Sequence, residues 1–294
     1  SSEPVAAALR ARLHLDTDVD VRIWAIHALA RCDTANAMAD LFAATADLDG
    51  SVRAAALSAL RECLDTEDAT LRDLLLAALS DSAPEVRRQA AEGLRFGPPQ
   101  VLPALLAVAN DPEPRVRLEV VIALGWQRDA QAVDAIAARV FDEVDEEVRY
   151  YAVGSLGEQR DARATQHLIT AFQTPALGQR VRIGALWALG NSGDAAAMPT
   201  LVTALRDPDA EVRAQAAESL RNLHRGSHAD AAHALPALTQ ALRDDDENVR
   251  EHAARALVAI CTLPALHALL SGLPAQDGPA RQALQRAIAA REEE

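Results

Sequence analysis

Apolar positions along this chain follow a helical period, and the pattern they make is itself repeated. In VRYYAVGSLG, beginning at Val148, apolar or small residues fall at steps 0, 4, 7 and 8 from the valine. That spacing traces a stripe along one side of a helix and does not fit the two-residue alternation of a strand. The phrase returns as VRIWAIHALA at Val21, VRAAALSALR at Val52, VRRQAAEGLR at Val86 and VRLEVVIALG at Val116. It continues as VRIGALWALG at Val181, VRAQAAESLR at Val212 and VREHAARALV at Val249. The Val-Arg pairs stand 31, 34, 30, 32, 33, 31 and 37 residues apart, and all eight copies keep leucine eight positions after the valine. A worn ninth copy, ARQALQRAIA, begins at Ala280.

Ahead of each copy lies another amphipathic segment, such as AQAVDAIAARVFD or ARATQHLITAF, and the two are joined by turns such as DPEPR and DPDAE. Aspartate suits these places, as a helix cap and beside the positive end of the helix dipole. The expected fold is therefore all-α: about nine helical hairpins, with second helices beginning near residues 21, 52, 86, 116, 148, 181, 212, 249 and 280. No such hairpin can bury its apolar face alone, so the hairpins should stack as one solenoid over 1–294. Small residues at steps 4 and 7, Ala152 and Ser155 for example, should let neighbouring helices approach to about 8–10 Å.

The phrase D-x-x-x-x-V-R-x-x-A-x-x-A-L resembles the HEAT repeat, in the bacterial variety called phycobilisome-lyase-like, over nearly the whole chain. The resemblance implies a right-handed α-α superhelix in which the motif residues are structural and the second helices line the concave side. It also implies bonding between Asp and Arg along the stack. Arg22, Arg53, Arg87, Arg117, Arg149, Arg182, Arg213 and Arg250 are the candidate ladder. Asp16, Asp47, Asp81, Asp111, Asp207 and Asp244 stand six residues before six of them. Arg149 has Glu143 there and Arg182 has Ala176, so a weaker ladder is expected at those copies.

Steps 2, 3, 6 and 10 lie away from the core stripe and should carry any site. All three tryptophans and both tyrosines fall on them. The candidate partner-binding patch is Trp24, His27, Phe96, Trp126, Tyr150, Tyr151, Glu158, Trp187 and Asn191, with Gly154 and Gly184 clearing space nearby. Exposed aromatics framed by carboxylates have the composition of a binding hot spot. The competing reading is that these rings fill gaps between alanine-rich repeats. DEVDEE, just before Val148, reads as a solvated helix start, with an edge attracting a basic partner as the alternative.

Composition narrows the partner. Acidic residues number 43 against 29 basic, a net charge of −14, which argues against nucleic acid or an anionic membrane and favours a basic partner. No apolar run reaches the roughly 18 residues of a membrane span. The N-terminal stretch shows no signal-peptide pattern and no initial methionine, the latter fitting a trimmed start. Three cysteines suggest no disulfide framework, and a reducing cytoplasm is the expected compartment. Cys63 and Cys261 read as buried thiols, and Cys32 and Cys63 share a step in adjacent copies.

No phosphate loop, nucleophile elbow or zinc-protease motif is present. Deoxyhypusine hydroxylases, another HEAT group, carry His-Glu doublets after the Val-Arg pair; here those positions hold none, and Glu251-His252 is single and reversed. His224, His228, His233 and Asp230 sit in an inserted turn whose spacing does not favour metal binding. No catalytic residue, cofactor or metal is expected. The leading expectation is a non-catalytic scaffold or adaptor gripping another protein. The alternatives are a phycobilin lyase or isomerase, which the resemblance allows, and an immunity or inhibitor protein for a basic toxin, which the charge allows.

Overall fold

The structure is a computed structural model that describes residues 3–31, 35–64, 68–227 and 231–292. Cys32, His228 and Asp230 lie outside the described residues. The fold is all-α, with eighteen α-helices among the described residues. The chain forms two compact units, Ser1–Gln127 and Arg128–Glu294.

The first unit holds four hairpins: α1 (Glu3–Leu15) with α2 (Val19–Ala30), α3 (Ala35–Ala44) with α4 (Gly50–Cys63), α5 (Ala69–Ala78) with α6 (Pro84–Gly93), and α7 (Leu102–Ala107) with α8 (Pro114–Gln127). The second holds five. These are α9 (Ala130–Asp142) with α10 (Glu146–Glu158), α11 (Ala162–Gln173) with α12 (Gln179–Asn191), and α13 (Met198–Ala204) with α14 (Ala210–Ser227). They are completed by α15 (Leu235–Ala241) with α16 (Glu247–Ile260) and α17 (Leu263–Gly272) with α18 (Gly278–Glu292). Within each unit every second helix packs on its own first helix and on the second helices before and after it.

Asp18, Asp49, Asp68, Asp129, Asp145, Asp161 and Asp246 cap helix starts, each accepting from one or two amides of the first turn. Each such cap contributes on the order of 1 kcal/mol. Pro84 starts α6 without a side-chain cap, its fixed φ suiting a first helical position.

The buried stripe is wider than the sequence phrase suggests. Step 5 is buried in all eight copies, at Ile26, Leu57, Ala91, Val121, Val153, Leu186, Ala217 and Ala254. A helix flanked by three others needs more than one apolar edge, and step 5 supplies the second. Step 7 has a particular neighbour, the step-9 residue of the preceding copy. A Cβ added to Gly157 would lie 2.9 Å from Cβ of Ala188, and one added to Gly190 would lie 2.7 Å from Cα of Ser219. At these two junctions, small side chains at both steps set how closely consecutive second helices meet.

Between one hairpin and the next, Arg128 and Arg160 turn the chain in the left-handed region at φ 43° and 49°. Gly193 performs the same turn at φ 71° without the Cβ penalty. One expectation about thiols is corrected: Cys63 is exposed, at the end of α4 beyond its last buried turn, and Cys261 is half-buried. Partial burial still pushes both thiols above their ordinary range.

Candidate partner-binding surface

The arginine ladder is the scaffold that holds the exposed face in register. Arg22, Arg53, Arg87 and Arg213 reach in two directions. Backward, Nη1 donates to the carbonyl six residues earlier: to Asp47 at 2.8 Å from Arg53, Asp81 at 2.9 Å from Arg87, and Asp207 at 2.8 Å from Arg213. Arg22, Arg117 and Arg250 repeat the bond to Asp16, Asp111 and Asp244. Forward, Nε and Nη2 grip the carboxylate of the next copy. Arg22 holds Asp47 at 3.1 Å through both nitrogens, Arg53 holds Asp81 at 2.9 and 2.6 Å, and Arg87 holds Asp111 at 2.6 and 2.9 Å. Arg213 holds Asp244 at 2.7 and 2.8 Å.

The same aspartates accept from amides two residues on, such as Asp81 from Ala83 at 2.8 Å and Asp111 from Glu113 at 2.9 Å. One carboxylate thus shapes its own turn and receives the preceding repeat. The electrostatics follow. The hydrogen bond from Arg53 is the main force holding Asp81 below its ordinary range. Burial pushes Asp111 and Asp244 upward, but the bonds from Arg87 and Arg213 and from the turn amides outweigh it, so both lie low. Arg53, Arg87 and Arg213 are raised, chiefly by those same bonds.

At the two copies that depart from the phrase, the geometry departs too. Glu143 is buried, accepts from the amides of Val144 and Asp145 at 3.0 Å, and pairs with Arg139 at 3.5 Å. Of the acids before Val148, it is therefore a packed group and not part of a solvated edge. Arg149 bonds the Glu143 carbonyl, but its Nε is buried with no hydrogen-bond partner, because Ala176 stands where the next copy would offer a carboxylate. Arg182 turns to the Phe172 carbonyl at 3.1 Å and keeps a single-nitrogen bond to Asp207.

The candidate patch residues lie on the opposite side of the second helices. In the first unit Trp24 is 74% exposed, and His27 is half-buried on the same helix. Phe96 and Trp126, both at step 10 of their copies, meet edge to face with ring centroids 4.9 Å apart and remain 63% and 54% exposed. Beside them an ion-pair chain crosses α4, α6 and α8: Arg61 to Glu92 at 3.1 Å, Arg88 to Glu92 at 3.3 Å and Arg95 to Glu119 at 3.0 Å.

In the second unit Tyr150 and Tyr151 stand at 88° to one another, centroids 6.0 Å apart. Arg180, which the repeat phrase does not single out, lies with Cζ 4.4 Å from the Tyr150 ring centre, in cation–π range. The Tyr150 ring lies over Gly184, where an added Cβ would sit 3.6 Å from it, while nothing lies within 4 Å of such an atom at Gly154. Trp187 is exposed on the next second helix, α12, and its carbonyl accepts from Asn191 at 3.1 Å. Glu158 is exposed at the end of α10. Trp126 belongs to the first unit, and Tyr151 and Trp187 to the second. No group of three or more histidine, cysteine, aspartate or glutamate side chains among the described residues is arranged to hold a metal ion. No helix among them is long and apolar enough to cross a membrane.

Hairpins stacked through their second helices and tied by an Arg–Asp ladder define the α-solenoid class of repeat protein. The profile of HEAT repeats matches residues 71–150, 138–221 and 204–289, and the chain belongs to the HEAT-repeat family. Among solved structures, an engineered protein is similar over 97% of this chain and 88% of its own, at 20% identity and a TM-score of 0.51. The karyopherin Kap121p, bound to the extreme C-terminus of the protein phosphatase Cdc14p, is similar over 98% of this chain at 14% identity and a TM-score of 0.65. This chain spans 38% of that karyopherin. A structure of Kap95p with RanGDP is similar over 97% of this chain and 51% of its own, at 14% identity and a TM-score of 0.59. No curated protein matches the sequence.

Proposed function

We propose that this chain is a non-catalytic scaffold or adaptor that binds another protein through the exposed face of its second helices. The observation that carries the reading is where the large aromatic side chains sit. All three tryptophans and both tyrosines are 40% exposed or more, while the core is filled by leucine, valine, isoleucine and alanine. Rings that served only to fill gaps between repeats would be covered by those repeats. Edge-to-face pairs with carboxylates and guanidinium groups alongside are suited to non-covalent recognition, in which a few aromatic anchors supply most of the affinity. The charge of −14 favours a partner with a basic surface, and a cytoplasmic setting suits a chain without a disulfide framework.

The test is a quantitative pull-down from native lysate with the wild type, a Phe96→Ala/Trp126→Ala variant and a Tyr150→Ala/Tyr151→Ala/Trp187→Ala variant. These side chains are exposed, so the variants should keep the wild-type circular dichroism and melting curve. Proteins retained by the wild type and lost by at least one variant support the reading. Variants that retain the same set at wild-type levels overturn it.

A further inference from the structure

The second unit contains a cleft of the opposite sign to the rest of the chain. It lies between α14, α16 and α18, has a volume of about 510 Å³, and is lined by Arg221, Arg255, Arg286 and Arg291. Glu251 is the one acid on its wall, and Val258 with several alanines forms an apolar floor. The volume is that of an ordinary ligand site. All four cations are arginines in a protein whose 29 basic residues are arginine without exception, and arginine presents the planar fork that matches a carboxylate.

These guanidinium groups are poorly neutralised. Arg255 and Arg286 are 53% and 56% exposed and share Glu251 at 3.5 and 3.4 Å, with Glu247 at 3.6 Å from Arg286. Exposed pairs at such distances contribute little, so an incoming carboxylate displaces them readily. Arg221 holds Glu218 at 2.9 Å through one nitrogen, but its Nε is buried without a partner. Arg291 is pinned by the carbonyls of Val258 and Cys261, which fixes one wall.

We propose that this cleft binds an acidic peptide segment of the partner protein, with one carboxylate between Arg255 and Arg286 and a second at Arg221. The proposal rests on the reading that the exposed face of the second helices meets a protein. Charge complementarity selects the occupant. A neighbouring groove on α14 and α16 is lined by Glu211, Glu218 and Asp246, so four arginines form a local island in an acidic surface. A short segment with two or three carboxylates lies within one Debye length of that island, about 8–10 Å, and senses it before the net charge. A nucleic acid strand would carry its phosphates well beyond the island and be repelled.

The experiment selects from a random phage-displayed peptide library on the immobilised full chain and on an Arg255→Glu/Arg286→Glu variant. Affinities of an enriched peptide, its Glu→Gln form and a single-stranded oligonucleotide are then measured by fluorescence anisotropy. The wild type should enrich peptides with at least two acidic residues in close sequence. Affinity should fall tenfold or more both for the amide form of the peptide and for the charge-reversed variant. A gentler Arg255→Gln/Arg286→Gln variant, with unchanged circular dichroism, should show the same direction. Failure to enrich acidic peptides, undiminished binding by both variants, or tighter binding of the oligonucleotide each overturns the proposal. Loss in the aromatic variants of the pull-down with no acidic selection here would sink this inference alone.

Discussion

Replacing Asp111 by asparagine isolates the double role of the ladder carboxylates. Its pair with Arg87 is the most enclosed in the first unit, with side chains 14% and 5% exposed and two bonds of 2.6 and 2.9 Å. Asparagine can still accept from the Glu113 amide through one oxygen, so the turn survives. It turns an amide donor toward Nε of Arg87, however, and leaves that cation without its carboxylate. Charge-assisted bonds contribute about 1.5–3 kcal/mol each, and breaking one side of a buried pair costs about 3–5 kcal/mol. Discounted for the residual exposure of Arg87, the expected loss for Asp111→Asn is about 2–4 kcal/mol. Guanidinium unfolding followed by circular dichroism measures it, with Asp134→Asn as the reference for a carboxylate 65% exposed. Hydrogen exchange should show the loss first in α6 and α8. An Arg87→Met/Asp111→Leu double variant should recover most of the deficit, since it leaves no uncompensated charge. A cost for Asp111→Asn no larger than for Asp134→Asn would refute the reasoning.

Other residues make further demands. Arg149→Met should cost about 1 kcal/mol or less, and clearly less than Arg87→Met, because its Nε already lacks a partner; denaturant midpoints of the two variants decide. Gly190→Ala should destabilise by about 1–3 kcal/mol, since the new Cβ would press on the backbone of Ser219, whereas Gly154→Ala meets open space and should be neutral or better. Asp81, Asp111 and Asp244 all titrate below their ordinary value of 3.8 in the folded chain. Their stabilisation is therefore complete above the unfolded value and is lost as pH falls through the folded values. The wild type should thus lose stability on acidification below about pH 4, and a triple Asp→Asn variant at these positions should show a shallower dependence there.

The sequence phrase located the second helices because leucine at step 8 is buried in all eight copies, and valine at step 0 in every copy but the first, where Val21 is half-buried. It was silent on step 5, where Ala91, Val153 and Leu186 share no residue type and only their common burial makes a pattern. The Arg–Asp spacing of six suggested a bond, but the spacing alone could not distinguish the carbonyl behind from the carboxylate ahead. That choice is made by the packing of one second helix on the next. Exposure of the candidate rings followed from helical angle, since steps 2, 3, 6 and 10 lie opposite the buried stripe. Who touches whom did not, although equal steps in adjacent copies were an available signal. Phe96 and Trp126 share step 10, and Arg255 and Arg286 share step 6. Arg180 lay outside the phrase altogether, at the loop end of α12, and only the fold brings it over Tyr150.

The two-handed arginine has a genetic consequence. Where the ladder is complete, a repeat carries a donor for its successor and an acceptor for its predecessor, as Arg53 and Asp47 do in one copy and Arg87 and Asp81 do in the next. Duplication or deletion of a whole repeat of that kind therefore leaves its junctions matched, with no second mutation required. An array joined this way can lengthen or shorten by recombination while the exposed face diversifies independently, one side chain at a time.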